Sequence, residues 1–103
     1  MIQKALDCMN LWHPNEKDEV ELELNVELWC RLGRLAMIQQ TNAMYKVALY
    51  CADAAIKNGD EKAKNRRYMM IPVTRLRWYS VAEALYGEAL YSLLDTQKQE
   101  KES

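Results

Sequence analysis

Turn-forming residues are scarce in this chain and bunched where they occur. Only three Gly and two Pro are spread over 103 residues, whereas an all-β domain of that size needs a turn about every ten residues, each drawing on Gly, Pro, Asn or Asp. The breaks fall at His13-Pro14-Asn15-Glu16-Lys17-Asp18 and at Lys57-Asn58-Gly59-Asp60-Glu61. A weaker break at Gln39-Gln40-Thr41-Asn42 offers Thr41 or Asn42 as a helix N-cap, and Pro72 suits the first turn of a helix. The spacing predicts an all-α chain with helices at about 2–11, 19–39, 42–57 and 72–96. Residues 60–71 stay ambiguous, Gly59 is expected to act as a helix C-cap, and the polar stretch 97–103 reads as a fraying end or linker.

Hydrophobic periodicity agrees with this division, with one dissent. Leu24, Leu28, Leu32, Leu35 and Ala36 recur at three and four, yet Val20, Leu22, Leu24, Val26 and Leu28 also alternate as in a strand. Helix is the better reading, because Glu and Leu favour it, Asp18 can cap it, and an isolated strand would find no partner. Residues 43–56 are apolar except at Lys46 and Asp53, so a helix there must pack on both sides. In the last helix Trp78, Val81, Ala82, Leu85, Ala89, Leu90, Leu93 and Leu94 recur at helical spacing. Gly87 among them costs about 1 kcal/mol relative to Ala, which suggests a close helix crossing at that point.

The size permits one domain, and half of the residues are apolar. No stretch approaches the roughly 18 to 20 apolar residues of a membrane span, and the N-terminus lacks the pattern of a signal peptide. The odd, widely spaced set Cys8, Cys30 and Cys51 fits small core residues in a reducing compartment, so a cytoplasmic setting without membrane contact is expected.

The formal net charge of -1 conceals a segregation. Residues 16–27 hold six acids against one Lys, and residues 57–77 hold seven bases against two acids. Lys62, Lys64, Arg66, Arg67, Arg75 and Arg77 are the candidate partner-binding residues, suited to an acidic protein surface such as a tubulin tail or a neighbouring subunit. Nucleic acid is not the expected partner, because Tyr68 is the only aromatic within the basic loop and Trp78 is expected in the core.

No reaction is legible. His13 is the only histidine, and no Cys-x-x-Cys or His-x-x-x-His spacing exists for a metal site. Cys8 and His13, five residues apart, do not share a helical face, and no orienting group or oxyanion hole accompanies them. The three glycines are too dispersed for a phosphate loop, and Met69 and Met70 read as gap-filling core. No catalytic residue, metal or cofactor is expected.

Internal repetition is the strongest signal. Ala5-Leu6-Asp7-Cys8 matches Ala48-Leu49-Tyr50-Cys51 at an offset of 43, and Trp29-x-x-Leu32-Gly33 matches Trp78-x-x-Val81-Ala82 at 49. Each copy is the end of one helix, a polar loop, and a helix with a Trp one turn ahead of a small residue. That pairing sets an indole plate beside a notch into which a neighbouring helix can sit. Periods of 40 to 50 built from paired helices are those of helical solenoids.

Trp29-Cys30-Arg31-Leu32-Gly33-Arg34-Leu35-Ala36 resembles the opening of a tetratricopeptide repeat, whose first helix carries W-x2-L-G. In that register Leu49 and Ala52 occupy the family's large and small positions of the second helix. Tyr45, Ala36 and Lys57 depart from its pattern, and the second copy keeps only Trp78 and the small Ala82. The units "ALxC, loop, VELWxRL" are also similar to degenerate repeats of large cilia- and flagella-associated proteins of the axonemal central apparatus.

The resemblance implies antiparallel helical hairpins stacked as a tetratricopeptide-like α-solenoid fragment. Trp29, Leu32, Gly33, Leu49, Ala52, Trp78, Val81 and Ala82 are then its packing residues. The implied role is a non-catalytic scaffold or protein-interaction module, in the cytoplasm or a ciliary axoneme, whose partners are flanking repeats or neighbouring subunits.

The competing expectation is a small adaptor or regulatory bundle that captures a partner's peptide helix. A solenoid puts Trp29 and Trp78 at equivalent places in successive hairpins; a bundle puts them in one shared core. Residues 1–103 read as one helical-repeat segment with a single complete hairpin, 19–57. Ala82, Leu85, Leu90, Tyr91 and Leu94 would leave a broad apolar surface, so the chain is expected to be part of a larger protein or assembly.

Overall fold

Asp18 caps the longest helix of the first half of the chain. Its carboxylate accepts from the backbone N–H of Val20 at 3.0 Å and of Glu21 at 3.3 Å, the bonds expected of an N-cap. In this computed structural model the backbone is described for residues 2–15, 17–65 and 73–102, and the side chains at 19, 60–65, 73–77, 79 and 100–102 lie outside the description. Four helices result: α1 (Ile2–Leu11), α2 (Glu19–Ile38), α3 (Asn42–Asn65) and α4 (Val73–Glu102). No strand occurs among the described residues, so the alternation at Val20–Leu28 is helical.

Thr41 caps α3. Its hydroxyl accepts from Met44 N at 3.2 Å, while Gln40, at φ 54, turns the chain sharply between α2 and α3. Gly59, expected to end α3, lies inside it, and no described glycine has a positive φ. Two ties hold the turn of helix that leads into Gly59. Asp53 pairs with Lys57 at 2.9 Å, and Asn58 bonds across to Asn25 of α2 at 2.6 Å. The helix also persists over the polar end of the chain, as far as Glu102. There Gln99 donates to Asp95 at 3.3 Å, and Gln, Lys and Glu are good helix formers.

Asn25 meets Asn58, and Gly33 meets Ala48 and Cys51, so α2 and α3 run antiparallel. Cys30 meets Trp78 and Gly33 meets Leu85, so α4 runs parallel to α2. Helix α3 packs on both α2 and α4, as its nearly all-apolar composition requires, and α1 lies against α2. The close contacts are made by small residues: Ala36, Ala48, Cys51, Ala52, Ala55, Ala82 and Ala89 are all fully buried.

At Gly33 three helices crowd together. A Cβ built there would lie 2.5 Å from Leu85 Cδ2 and 3.2 Å from Cys51 Cβ. Gly87, expected to mark such a crossing, has nothing within 4 Å of its would-be Cβ. The tight crossing therefore belongs to the glycine that follows Trp29, where Leu85 fills the notch.

Candidate interaction surfaces

Side chains are positioned here chiefly by one cluster of buried residues: Val26, Trp29, Cys30, Leu32, Cys51, Ala55 and Ala82. Trp29 is 4% exposed and meets Tyr50 edge-on at 5.9 Å. Trp78 and Val81 are half-buried and pack against the same cluster. Arg31 lies 5.3 Å over the Trp78 ring, a cation–π distance, and also pairs with Glu27 at 3.1 Å. Leu49 packs on a second cluster of Ala36, Ala48 and Ala89, and Ala52 is fully buried. The eight repeat positions thus lie in or against the core, and the two tryptophans share one cluster.

The matched copies do not share environments. Ala48 and Cys51 are buried beside Gly33. Their counterparts Ala5 and Cys8 in α1 are exposed, which corrects the expectation that all three cysteines are core residues. Burial pushes the Cys51 thiol up to about 12 and that of Cys30 up to about 11, and Cys30 Sγ donates to the Trp78 carbonyl at 3.7 Å. Both are protonated near neutrality and poor nucleophiles. His13 is exposed, and the described residues contain no group of three or more His, Cys, Asp or Glu fit to hold a metal ion. Trp12, half-buried, donates to Glu21 at 2.9 Å and ties the end of α1 to α2.

The basic candidates do not assemble into a describable site. Arg66 and Arg67 fall outside the described residues. Lys62, Lys64, Arg75 and Arg77 lie on the helical backbone of α3 and α4, with side chains outside the description.

Two apolar faces are exposed instead. On α4, Tyr86, Leu90, Tyr91 and Leu94 stand around Gly87. On α2, the stripe at threes and fours is split. Leu32 and Ala36 are buried, while Leu24, Leu28 and Leu35 face outward with Val20 and Ile38. The α2 core face is the set Leu22, Asn25, Val26, Trp29, Cys30, Leu32 and Ala36, a second stripe at helical period with the tryptophan at its middle.

No described helix is long and apolar enough to cross a membrane. In comparisons with protein-family models, curated proteins and solved structures, none matches this chain. The class defined by the fold is that of all-helical proteins with a small-residue core.

Proposed function

We propose that the chain is a non-catalytic protein–protein interaction module, a helical adaptor that holds a helix of a partner protein within a larger assembly. The observation that carries this reading is the outer face of α4. Tyr91 is 71% and Leu94 56% exposed, and with Tyr86 and Leu90 they flank the empty notch at Gly87. An apolar stripe beside a notch is what a helix ridge packs into, and Gly33 receives Leu85 in that way within this chain. Contiguous exposed apolar residues of this kind mark interaction surfaces.

A stacked tetratricopeptide-like array is the second form of the reading. It is supported by the repeat of Trp29 and Gly33 as Trp78 and Ala82, and by α3 packing antiparallel against both α2 and α4, which run parallel to each other. The shared cluster of Trp29 and Trp78 favours the adaptor bundle. The ciliary axoneme is one assembly such a module would serve, on the strength of the sequence resemblance alone.

Size-exclusion chromatography of an extract from cells that produce the protein tests the proposal. The chain is expected to elute in a large complex, and a Leu90→Glu, Leu94→Glu variant to elute at the size of the isolated chain. Elution of the unaltered chain at its isolated size would overturn the reading.

A further inference from the structure

The outward face of α2 presents an apolar seam that runs the length of the helix, on the side opposite the core. Val20, Leu24, Leu28, Leu35 and Ile38 are all exposed, the two ends most of all at 76% and 70%. The gap in the seam is filled by Arg31, so the series 24, 28, 31, 35, 38 alternates steps of four and three. That is the spacing of a helix-pairing seam. It is distinct from the α4 face on which the proposed function rests.

Charge along one edge of the seam identifies what covers it. Glu23 and Glu27 flank its first half, and Arg34 flanks its second half on the same side. A second copy laid parallel would set Arg31 against Arg31 inside the seam, and would put the charged edges of the two copies on opposite sides of it, so that Glu27 meets no Arg34. Laid antiparallel, the same two helices match throughout. Val20 then faces the partner's Ile38, Leu24 faces the partner's Leu35, and Leu28 faces the aliphatic stem of the partner's Arg31. Glu27, whose Oε1 already holds Arg31 of its own chain at 3.1 Å, lies beside the partner's Arg34, and two-fold symmetry forms every one of these contacts twice.

We infer that α2 is a homodimerisation helix, which pairs antiparallel with α2 of a second copy of this chain about a two-fold axis near residues 29–31. The seam spans most of a 20-residue helix, about 30 Å long. A single helix pair of that length is at the small end of stable interfaces, so the dimer forms reversibly in the micromolar range.

Sedimentation equilibrium of the purified full chain tests this. The unaltered chain is expected to show a reversible monomer–dimer equilibrium. A Leu24→Glu, Leu35→Glu variant is expected to stay monomeric with an unchanged circular-dichroism melt, because both side chains are exposed. The charge pairs provide a test that does not depend on those leucines. Arg34→Glu alone and Glu27→Arg alone each turn two attractions into two repulsions and weaken dimerisation about tenfold. Mixed in equal amounts, these two variants restore both pairs and dimerise with each other as tightly as the unaltered chain with itself.

A chain that remains monomeric at high micromolar concentration would overturn the inference. So would a mixture that associates no better than its components, which rules out the antiparallel pairing. The Leu90→Glu, Leu94→Glu variant is expected to dimerise normally, and its failure to do so would assign the dimer to α4 and overturn the role of α2.

Discussion

Asn58 donates its side-chain amide to Asn25 across the α2–α3 contact at 2.6 Å. Asn25 is the one buried polar side chain among the described residues, at 1% exposure. It fixes register by penalising any slip that would leave it unpaired in an apolar contact. Asn58→Ala strands the buried oxygen and is expected to destabilise the fold by about 1–3 kcal/mol. Replacing both residues by Leu removes the orphan together with its partner, so the double variant is expected to lie within about 1 kcal/mol of the original. Urea denaturation of the single and double variants measures the difference, and a double variant less stable than Asn58→Ala would refute it.

Two glycines predict opposite signs for the same substitution. At Gly87 a Cβ meets nothing within 4 Å, so Gly87→Ala should stabilise by about 1 kcal/mol through helix propensity. At Gly33 the added methyl meets Leu85 Cδ2 at 2.5 Å and Cys51 Cβ at 3.2 Å. Leu85 Cδ2 is the end of a side chain that can swing aside, but Cys51 Cβ is fixed to the α3 backbone, and overpacking against it of about 1–3 kcal/mol outweighs the propensity gain, so Gly33→Ala should be net destabilising by about 1 kcal/mol. Midpoints of thermal or urea unfolding that move in the same direction for both variants would contradict this assignment of the crossing.

What was legible in the sequence was local. Asp18 and Thr41 act as caps because a cap depends on bonds within three residues of itself, and the helical character of α2, α3 and α4 follows from period and composition. What was not legible depends on a neighbour distant in sequence. Gly59 continues a helix, and Asn58 next to it is held by Asn25 thirty-three residues away, a contact that local turn chemistry does not reveal. Leu24 and Leu32 occupy similar places in the periodic pattern, yet α2 is apolar on two faces and only the partner helices decide which is buried. Cys8 and Cys51 match in the repeat but differ in burial, because α1 packs on α2 through Ile2, Leu6 and Met9 and leaves Ala5 and Cys8 on its exposed side, whereas α3 is packed by both α2 and α4. For the interaction surfaces the signal was partial. Of the five residues expected to be uncovered, Leu90, Tyr91 and Leu94 are exposed, but Ala82 and Leu85 are buried against α2 and α3, and the basic series from Lys62 to Arg77 lies on side chains outside the description.

The start of α2 hangs on a single carboxylate that accepts two backbone N–H groups. Asp18→Ala is expected to cost about 1 kcal/mol, and Asp18→Asn much less, since an amide oxygen caps nearly as well. The distinction is between a lost acceptor and a lost charge. If Asn proves as damaging as Ala in chemical denaturation, the charge at the helix N-terminus dominates and the hydrogen-bond account is wrong.

The three thiols separate by burial, and this gives the protein a defined alkaline instability. Cys8 is exposed while Cys30 and Cys51 are buried, so an aromatic disulfide reagent is expected to modify one thiol per native chain and all three after denaturation. Desolvation raises Cys30 from an ordinary value of 9.0 to about 11 and Cys51 from 9.0 to about 12. The native state therefore keeps both protons at pH values where the unfolded chain has released them. The stabilisation that these two groups contribute is complete below pH 9, falls as pH rises, and is exhausted once pH has passed about 11 for Cys30 and about 12 for Cys51. Each thiol contributes a slope of about 1.4 kcal/mol per pH unit within its window. A Cys30→Ala, Cys51→Ala variant should lose stability less steeply between pH 9 and 11 than the unaltered chain. Identical pH profiles for the unaltered chain and the double variant, followed by urea denaturation, would show that the buried thiols do not couple folding to protons.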